Sequence, residues 1–167
     1  MSDNADPPAT MEPPAPSTKT RAGIQDAIVS LLEGAQHDVA IFGAALDGYY
    51  FNNQRVAEAI GHLIARHHSN RVYILTEDSQ QFSRDNPRML ALARRFGDAI
   101  ELRRVGENHT GLRELFVLAD SHTVLHLPDF EQPATGPSPQ PGPLLARRFR
   151  AMWEAGEPLP GINPAGL

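Results

Sequence analysis

Apolar residues recur at helical spacing from Arg21 to Gln36, where Ile24, Ala27, Ile28, Leu31 and Leu32 fall on one face. The following segment, Asp38 to Leu46 (DVAIFGAAL), is a continuous apolar run with β-branched and aromatic members, the pattern of a buried strand. Asn53 is placed to cap a second helix, on which Val56, Ile60, Leu63 and Ile64 repeat. Arg71 to Thr76 (RVYILT) predicts a second strand. Asn86-Pro87 marks the start of a third helix, with Pro at its first position, and Gly97 marks its stop. Ile100 to Val105 predicts a third strand, Leu112 to Ala119 (LRELFVLA) a fourth and His122 to Leu127 a fifth. The last two join through Asp120-Ser121 as a hairpin. Leu144, Leu145, Phe149, Met152 and Trp153 form one stripe of a final helix. The order α-β-α-β-α-β-β-β-α predicts an α/β fold with a mixed sheet of about five strands flanked by helices. Its first strands are parallel through right-handed crossovers and its last are more antiparallel.

The segments between and around these elements differ in composition. Residues 1–20 hold five prolines and only Met1 and Met11 as large apolar residues, which predicts a disordered tail. Residues 21–155 form the expected domain, and Gln132 to Pro143 (QPATGPSPQPGP) is a Pro-rich insert within it. Residues 156–167 are again rich in Pro and Gly and are expected to be flexible. A length of 167 residues suits one domain. No run of eighteen apolar residues exists, so no membrane-spanning helix is expected. The start, Met-Ser-Asp-Asn-Ala-Asp-Pro-Pro, has neither the basic nor the apolar part of a signal peptide, which points to a soluble, cytoplasmic protein.

Charge and rare residues narrow the chemistry. The absence of cysteine removes disulfides, thiolate metal sites and cysteine nucleophiles. Lys19 is the single lysine among 15 basic residues, so no ammonium side chain lies beyond Thr20. GC-rich coding in a bacterium is the expected cause of such an arginine excess, and the missing lysine constrains the chemistry whatever the cause. A net charge of -5 argues against general nucleic-acid binding and against an anionic membrane surface.

The element order, the chain size and the strand Leu112-Arg-Glu-Leu-Phe-Val-Leu-Ala-Asp120 resemble one half of a phospholipase D-like fold. In that family a strand carries His-x-Lys-x4-Asp, in which the His attacks phosphorus, the Lys neutralises phosphate charge and the Asp supports the site. With Asp120 on the motif's Asp, Arg113 falls at the His position and Leu115 at the Lys position. Arginine has no usable lone pair and cannot form a covalent phospho-intermediate. The resemblance therefore implies a degenerate domain without the usual activity. Active members need two copies of the motif, so one half-length chain implies a homodimer, although the lost motif removes the catalytic reason for one.

Other residues offer chemistry of their own. His109, in the loop Glu107-Asn-His-Thr-Gly111, is a candidate general base, and Asp120 a candidate partner. His122 lies two residues beyond Asp120, while His122 and His126 are too far apart along a strand to share a metal. His67-His68 suits the C-terminus of a helix. Asp47, Glu77 and Asp78 end strands and could hold a divalent cation, or make turns and caps. Tyr49-Tyr50-Phe51 either lines a pocket mouth or packs over the sheet end. Arg103, Arg104 and Arg113 on candidate strands, and Arg147, Arg148 and Arg150 on the last helix, could bind phosphate or pair with acids. Phosphate loops, nucleophile elbows and zinc-protease motifs are missing. The expectation is an inactive phospholipase D-like binding or assembly module without metal or cofactor. Its expected partners are a protein or its own second copy, with Arg103, Arg104, Arg113 and Asp120 around a phosphate-bearing ligand. The alternative is a phosphoesterase or phosphotransferase using His109 and Asp120, and a third reading is a structural subunit.

Overall fold

Alternation along the strands sends neighbouring residues to opposite sides of one sheet, and the two sides are covered unequally. In the computed structural model, which describes residues 20–132 and 138–159, Val39, Ile41, Val72, Ile74, Leu102 and Val117 face one core. Ala40, Phe42, Leu75, Phe116 and Leu118 face the other. Helices α1 (Arg21–Gly34), α3 (Gln54–Arg66) and α5 (Pro87–Arg95) pack on the first side. Helix α6 (Gly142–Ala155) covers the second with Leu145, Phe149 and Met152.

The strands are β1 (Asp38–Gly43), β2 (Arg71–Thr76), β3 (Ile100–Arg104), β4 (Leu115–Ala119), β5 (Thr123–Leu127) and β6 (Glu157–Pro158). Their order in the sheet is β5-β4-β1-β2-β3-β6. Strands β1, β2 and β3 run parallel, and β4, β5 and β6 each pair antiparallel with their neighbours. The expected α/β architecture with a mixed sheet holds, with a sixth strand added.

Several boundaries differ from the sequence pattern for local reasons. Strand β1 ends at Gly43, because the chain turns and Leu46 folds back into the core at 1% exposure. Strand β4 begins at Leu115 rather than Leu112, since Arg113 and Glu114 are drawn into ion pairs. Two short helices, α2 (Gly48–Phe51) and α4 (Ser79–Asp85), fill loops after β1 and β2 and are capped by Asp47 and Asp78. Thr20, placed by the pattern in the tail, caps α1 by accepting the amide of Gly23.

Helix α6 starts at Gly142, within the expected insert. A Cβ at Gly142 would lie 2.5 Å from the His122 Cα, so glycine permits the close approach of the helix to the β4–β5 turn. Glu157 and Pro158, in the segment expected to be flexible, pair with β3, and Leu159 is buried. The rest of the expected tail, insert and C-terminal segment lies outside the described residues. Among the described residues, no helix is long and apolar enough to cross a membrane.

Candidate functional site

The carboxyl ends of β1, β2 and β3, the start of β4 and the end of β5 lie along one edge of the sheet, where ligands bind in open α/β folds. Arg113 stands at this edge. Its guanidinium donates to both oxygens of Asp129 at 3.1 Å and to Glu131 at 2.5 Å, and it lies over the Phe130 ring. The hydrogen bonds it gives to the Asp129 and Glu131 carboxylates hold the guanidinium above its ordinary pKa. Those from Arg113 and from the Glu131 amide hold the Asp129 carboxyl below its own. Leu115, at the motif's Lys position, is 2% exposed and lies opposite Gly43 and Leu127. The positions that the resemblance aligns with the family's His and Lys thus hold a guanidinium shared by two carboxylates and a core leucine.

Asp120 sits at the opposite edge. Its carboxylate accepts the amides of Gln36, His37 and Asp38 at 2.9, 2.7 and 3.1 Å, tying the end of β4 to the start of β1. Burial pushes this carboxyl up, but the three amides outweigh burial and hold it below the ordinary value. Asp38 beside it is pushed up, by burial first and by the Asp120 charge second. His109 lies in the 3-10 turn Glu107–His109 beyond β3, so a strand's length separates it from Asp120. The two residues of the alternative catalytic pair are not brought together. His122 donates from Nδ1 to the Asp120 carbonyl at 2.7 Å, a turn contact.

The expected arginine group is also dispersed. Arg103 and Arg104 are adjacent on β3 and so point to opposite faces, and β3 lies about 14 Å, three strand spacings, from β4. Arg103 donates to the Trp153 carbonyl at 2.8 Å with its guanidinium over the Trp153 ring, while Arg104 pairs with Glu157 at 2.7 Å. Asp47 caps α2 and pairs with Arg21, Asp78 caps α4, and Glu77 accepts the Gly111 amide. Among the described residues, no group of three His, Asp or Glu is arranged to hold a metal ion. Tyr50 and Phe51 pack into the core and Tyr49 lies under Arg21, while His67 ends α3 with its ring stacked on His68.

Two features were not read from the pattern. Helix α5 carries exposed Arg88, Arg94 and Arg95 and no acid, and none of the three makes an ion pair among the described residues. The second is a polar network under α6. Glu114 accepts from Arg148 with both oxygens and contacts His126 Nε2 at 2.7 Å, and His126 Nδ1 contacts Ser138 Oγ at 2.6 Å. The hairpin register offered a signal for half of this network. Phe116 pairs with His126, which places Glu114 diagonally across from it on the same face. Nothing in the Pro-rich segment announced Ser138.

Solved structures relate the fold to known proteins. TrmBL2, an archaeal chromatin protein whose structure shows a novel mode of DNA binding, aligns with a TM-score of 0.55 and 16% identity. The match covers 81% of this chain and 50% of that one, so this chain spans half the length of that neighbour. NucT from Helicobacter pylori, a phospholipase D-family nuclease, aligns with a TM-score of 0.52 and 11% identity over 80% of this chain and 89% of the other. The fold is accordingly phospholipase D-like. The expectation that net charge argues against general nucleic-acid binding is corrected by the chromatin protein, in which this fold belongs to a DNA binder. The physical reason is that a total of -5 does not describe every face of the surface, as α5 shows, whose charged residues are all arginine. No curated protein sequence matches the chain significantly. Residues 20–163 match the model of a domain family of unknown function, DUF7931, and the chain belongs to that family.

Proposed function

We propose that this protein is a phospholipase D-like module that binds the phosphodiester backbone of nucleic acid and lacks the family's histidine-based cleavage. The observation that carries the reading is α5, where Arg88, Arg94 and Arg95 stand exposed and, among the described residues, without acidic partners. Arg88 and Arg95 are seven residues apart, two helical turns, and so share one side of the helix. Guanidinium groups free of carboxylates can give bidentate hydrogen bonds to phosphate oxygens. The substitutions at Arg113 and Leu115 support the loss of cleavage, since neither side chain can take up a phosphoryl group. The DNA-binding chromatin neighbour and the nuclease neighbour support the ligand class.

The test is anisotropy of a labelled DNA duplex titrated with the full chain at several salt concentrations. Three phosphate contacts give a slope of about -2.7 in log affinity against log salt, or about a 40-fold loss from 50 to 200 mM. Each of R88A, R94A and R95A should flatten the slope by about 0.9, and the DNA should remain intact. Absence of binding at 50 mM salt, or a slope unmoved by the triple variant, overturns the proposal.

A further inference from the structure

Ser138, His126 and Glu114 form a hydrogen-bonded chain whose proton positions follow from chemistry. A carboxylate only accepts, so the 2.7 Å contact with Glu114 requires the proton of His126 on Nε2. In the neutral ring Nδ1 then carries a lone pair, and the 2.6 Å contact with Ser138 Oγ makes the hydroxyl the donor. Burial pushes the Glu114 carboxyl up, but the hydrogen bonds of Arg148 and His126 outweigh it and hold the group below its ordinary value. The His126 side chain is 6% exposed and that of Glu114 14%, so water competes weakly for these bonds. The Ser138 amide also donates to the His126 carbonyl at 2.9 Å, which fixes the serine backbone beside the ring.

Ser138 also borders a place where a ligand can sit. An open surface pocket of about 550 Å³ is lined by His122, Val124, Ser138, Pro139, Gln140 and Pro141. Among the described residues no arginine or lysine lines it, and Arg148 is held by Glu114, so phosphate is a poor fit there. Val124 and the two prolines suit a small neutral carbonyl compound instead. Gln140 carries the amide donors that a developing oxyanion needs.

We propose that Ser138 is the nucleophile of a serine-hydrolase site for small carboxylic esters, with His126 as general base and Glu114 as the positioning residue. Oγ bonds to the ester carbonyl carbon while its proton passes to His126 Nδ1. Collapse of the tetrahedral adduct breaks the bond to the alcohol oxygen, which leaves with the proton from Nδ1. Water then attacks acyl-Ser138, giving its proton to Nδ1, and collapse releases the carboxylic acid and returns the proton to Oγ. The balance is ester plus water to acid plus alcohol, with no change of oxidation state.

The experiment treats the full chain with an alkyl fluorophosphonate and reads the adduct by peptide mass spectrometry, alongside hydrolysis of p-nitrophenyl acetate. Wild type should carry the adduct on Ser138, and S138A should lose both adduct and hydrolysis. E114Q keeps the shape of the side chain but no longer holds the Nε2 proton with a full charge. It should slow labelling at least about tenfold and change the pH profile of the rate, while circular dichroism shows an intact fold. Folded wild type that is labelled no faster than S138A, or labelled elsewhere, overturns the proposal. E114Q with an unchanged rate and pH profile removes the role of Glu114. DNA binding through α5 is read separately, so each proposal stands or falls alone.

Discussion

Asp120 gives the sharpest test of how the domain is held together, because the sequence made it a site residue and the structure makes it a tie. It lies at φ 54°, where aspartate is tolerated and alanine is strained, and it accepts three amides from Gln36, His37 and Asp38. A hydrogen bond to a charged group contributes about 1.5–3 kcal/mol when water is excluded. Asp120 is half-buried, so about 1 kcal/mol each is the reasonable figure. Asp120→Ala adds about 1 kcal/mol of backbone strain, whereas relief of the charge beside Asp38 returns part of the loss. The net cost is about 3 kcal/mol, which lowers the melting temperature by roughly 6–12 °C in a chain of this size.

The pH dependence has a definite sign. The folded pKa of Asp120 lies below its ordinary value, so the stabilisation is full above about pH 4 and is lost as pH falls through the folded pKa. Thermal unfolding of wild type and D120A should therefore differ most at neutral pH, and the gap should narrow below about pH 4. D120N, which keeps one acceptor oxygen and tolerates the positive φ, should fall between them. If D120A melts within about 2 °C of wild type at pH 7, the three amide bonds do not tie the strands and the reasoning is refuted.

Other substitutions probe separate parts of the argument. Asp38 has a folded pKa raised by burial and by Asp120, so its contribution is full at low pH and is lost as pH rises through that raised value. D38N should then melt a few degrees above wild type at pH 7 and equal it near pH 3, and a lower melting point at pH 7 contradicts this. Gly142→Ala forces a Cβ to within 2.5 Å of the His122 Cα and should cost about 1–3 kcal/mol in urea unfolding. Gly61→Ala, in helix α3 with nothing within 4 Å of the new methyl, should instead stabilise by up to about 1 kcal/mol. Equal effects at the two glycines would remove the packing argument. Restoring the motif as R113H/L115K should unfold the protein rather than revive it, because Leu115 is 2% exposed and a buried lysine costs at least about 4 kcal/mol. A folded double variant that cleaves bis(p-nitrophenyl) phosphate would refute that reading.

The parts of the fold legible in the sequence are those that bury a regular stripe. The apolar runs at Asp38–Gly43 and Arg71–Thr76 and the helical faces of α1, α3 and α6 each carry their own pattern, so the order of these elements along the chain and the mixed sheet flanked by helices follow from them. Helix α2 has four residues, α4 has seven and β6 has two, too few for a period to show. Leu46 reads as strand because burial makes it apolar, although its backbone has already turned. The candidate site was harder to read because it depends on which apolar-looking segments become neighbours. Arg103, Arg104 and Arg113 look clustered in a list of strands, yet sheet order separates β3 from β4 and pleating turns Arg103 away from Arg104. Glu114, His126 and Ser138 look unrelated at spacings of twelve residues, yet the β4–β5 register and the approach of α6 at Gly142 draw them into one hydrogen-bonded chain. The same antiparallel return that leaves Asp120 at the far edge, beside the start of β1, carries His126 back toward Glu114. The hairpin that places Asp120 away from the ligand edge is therefore also what brings His126 beside Glu114 and Ser138, and both follow from one turn at Asp120-Ser121.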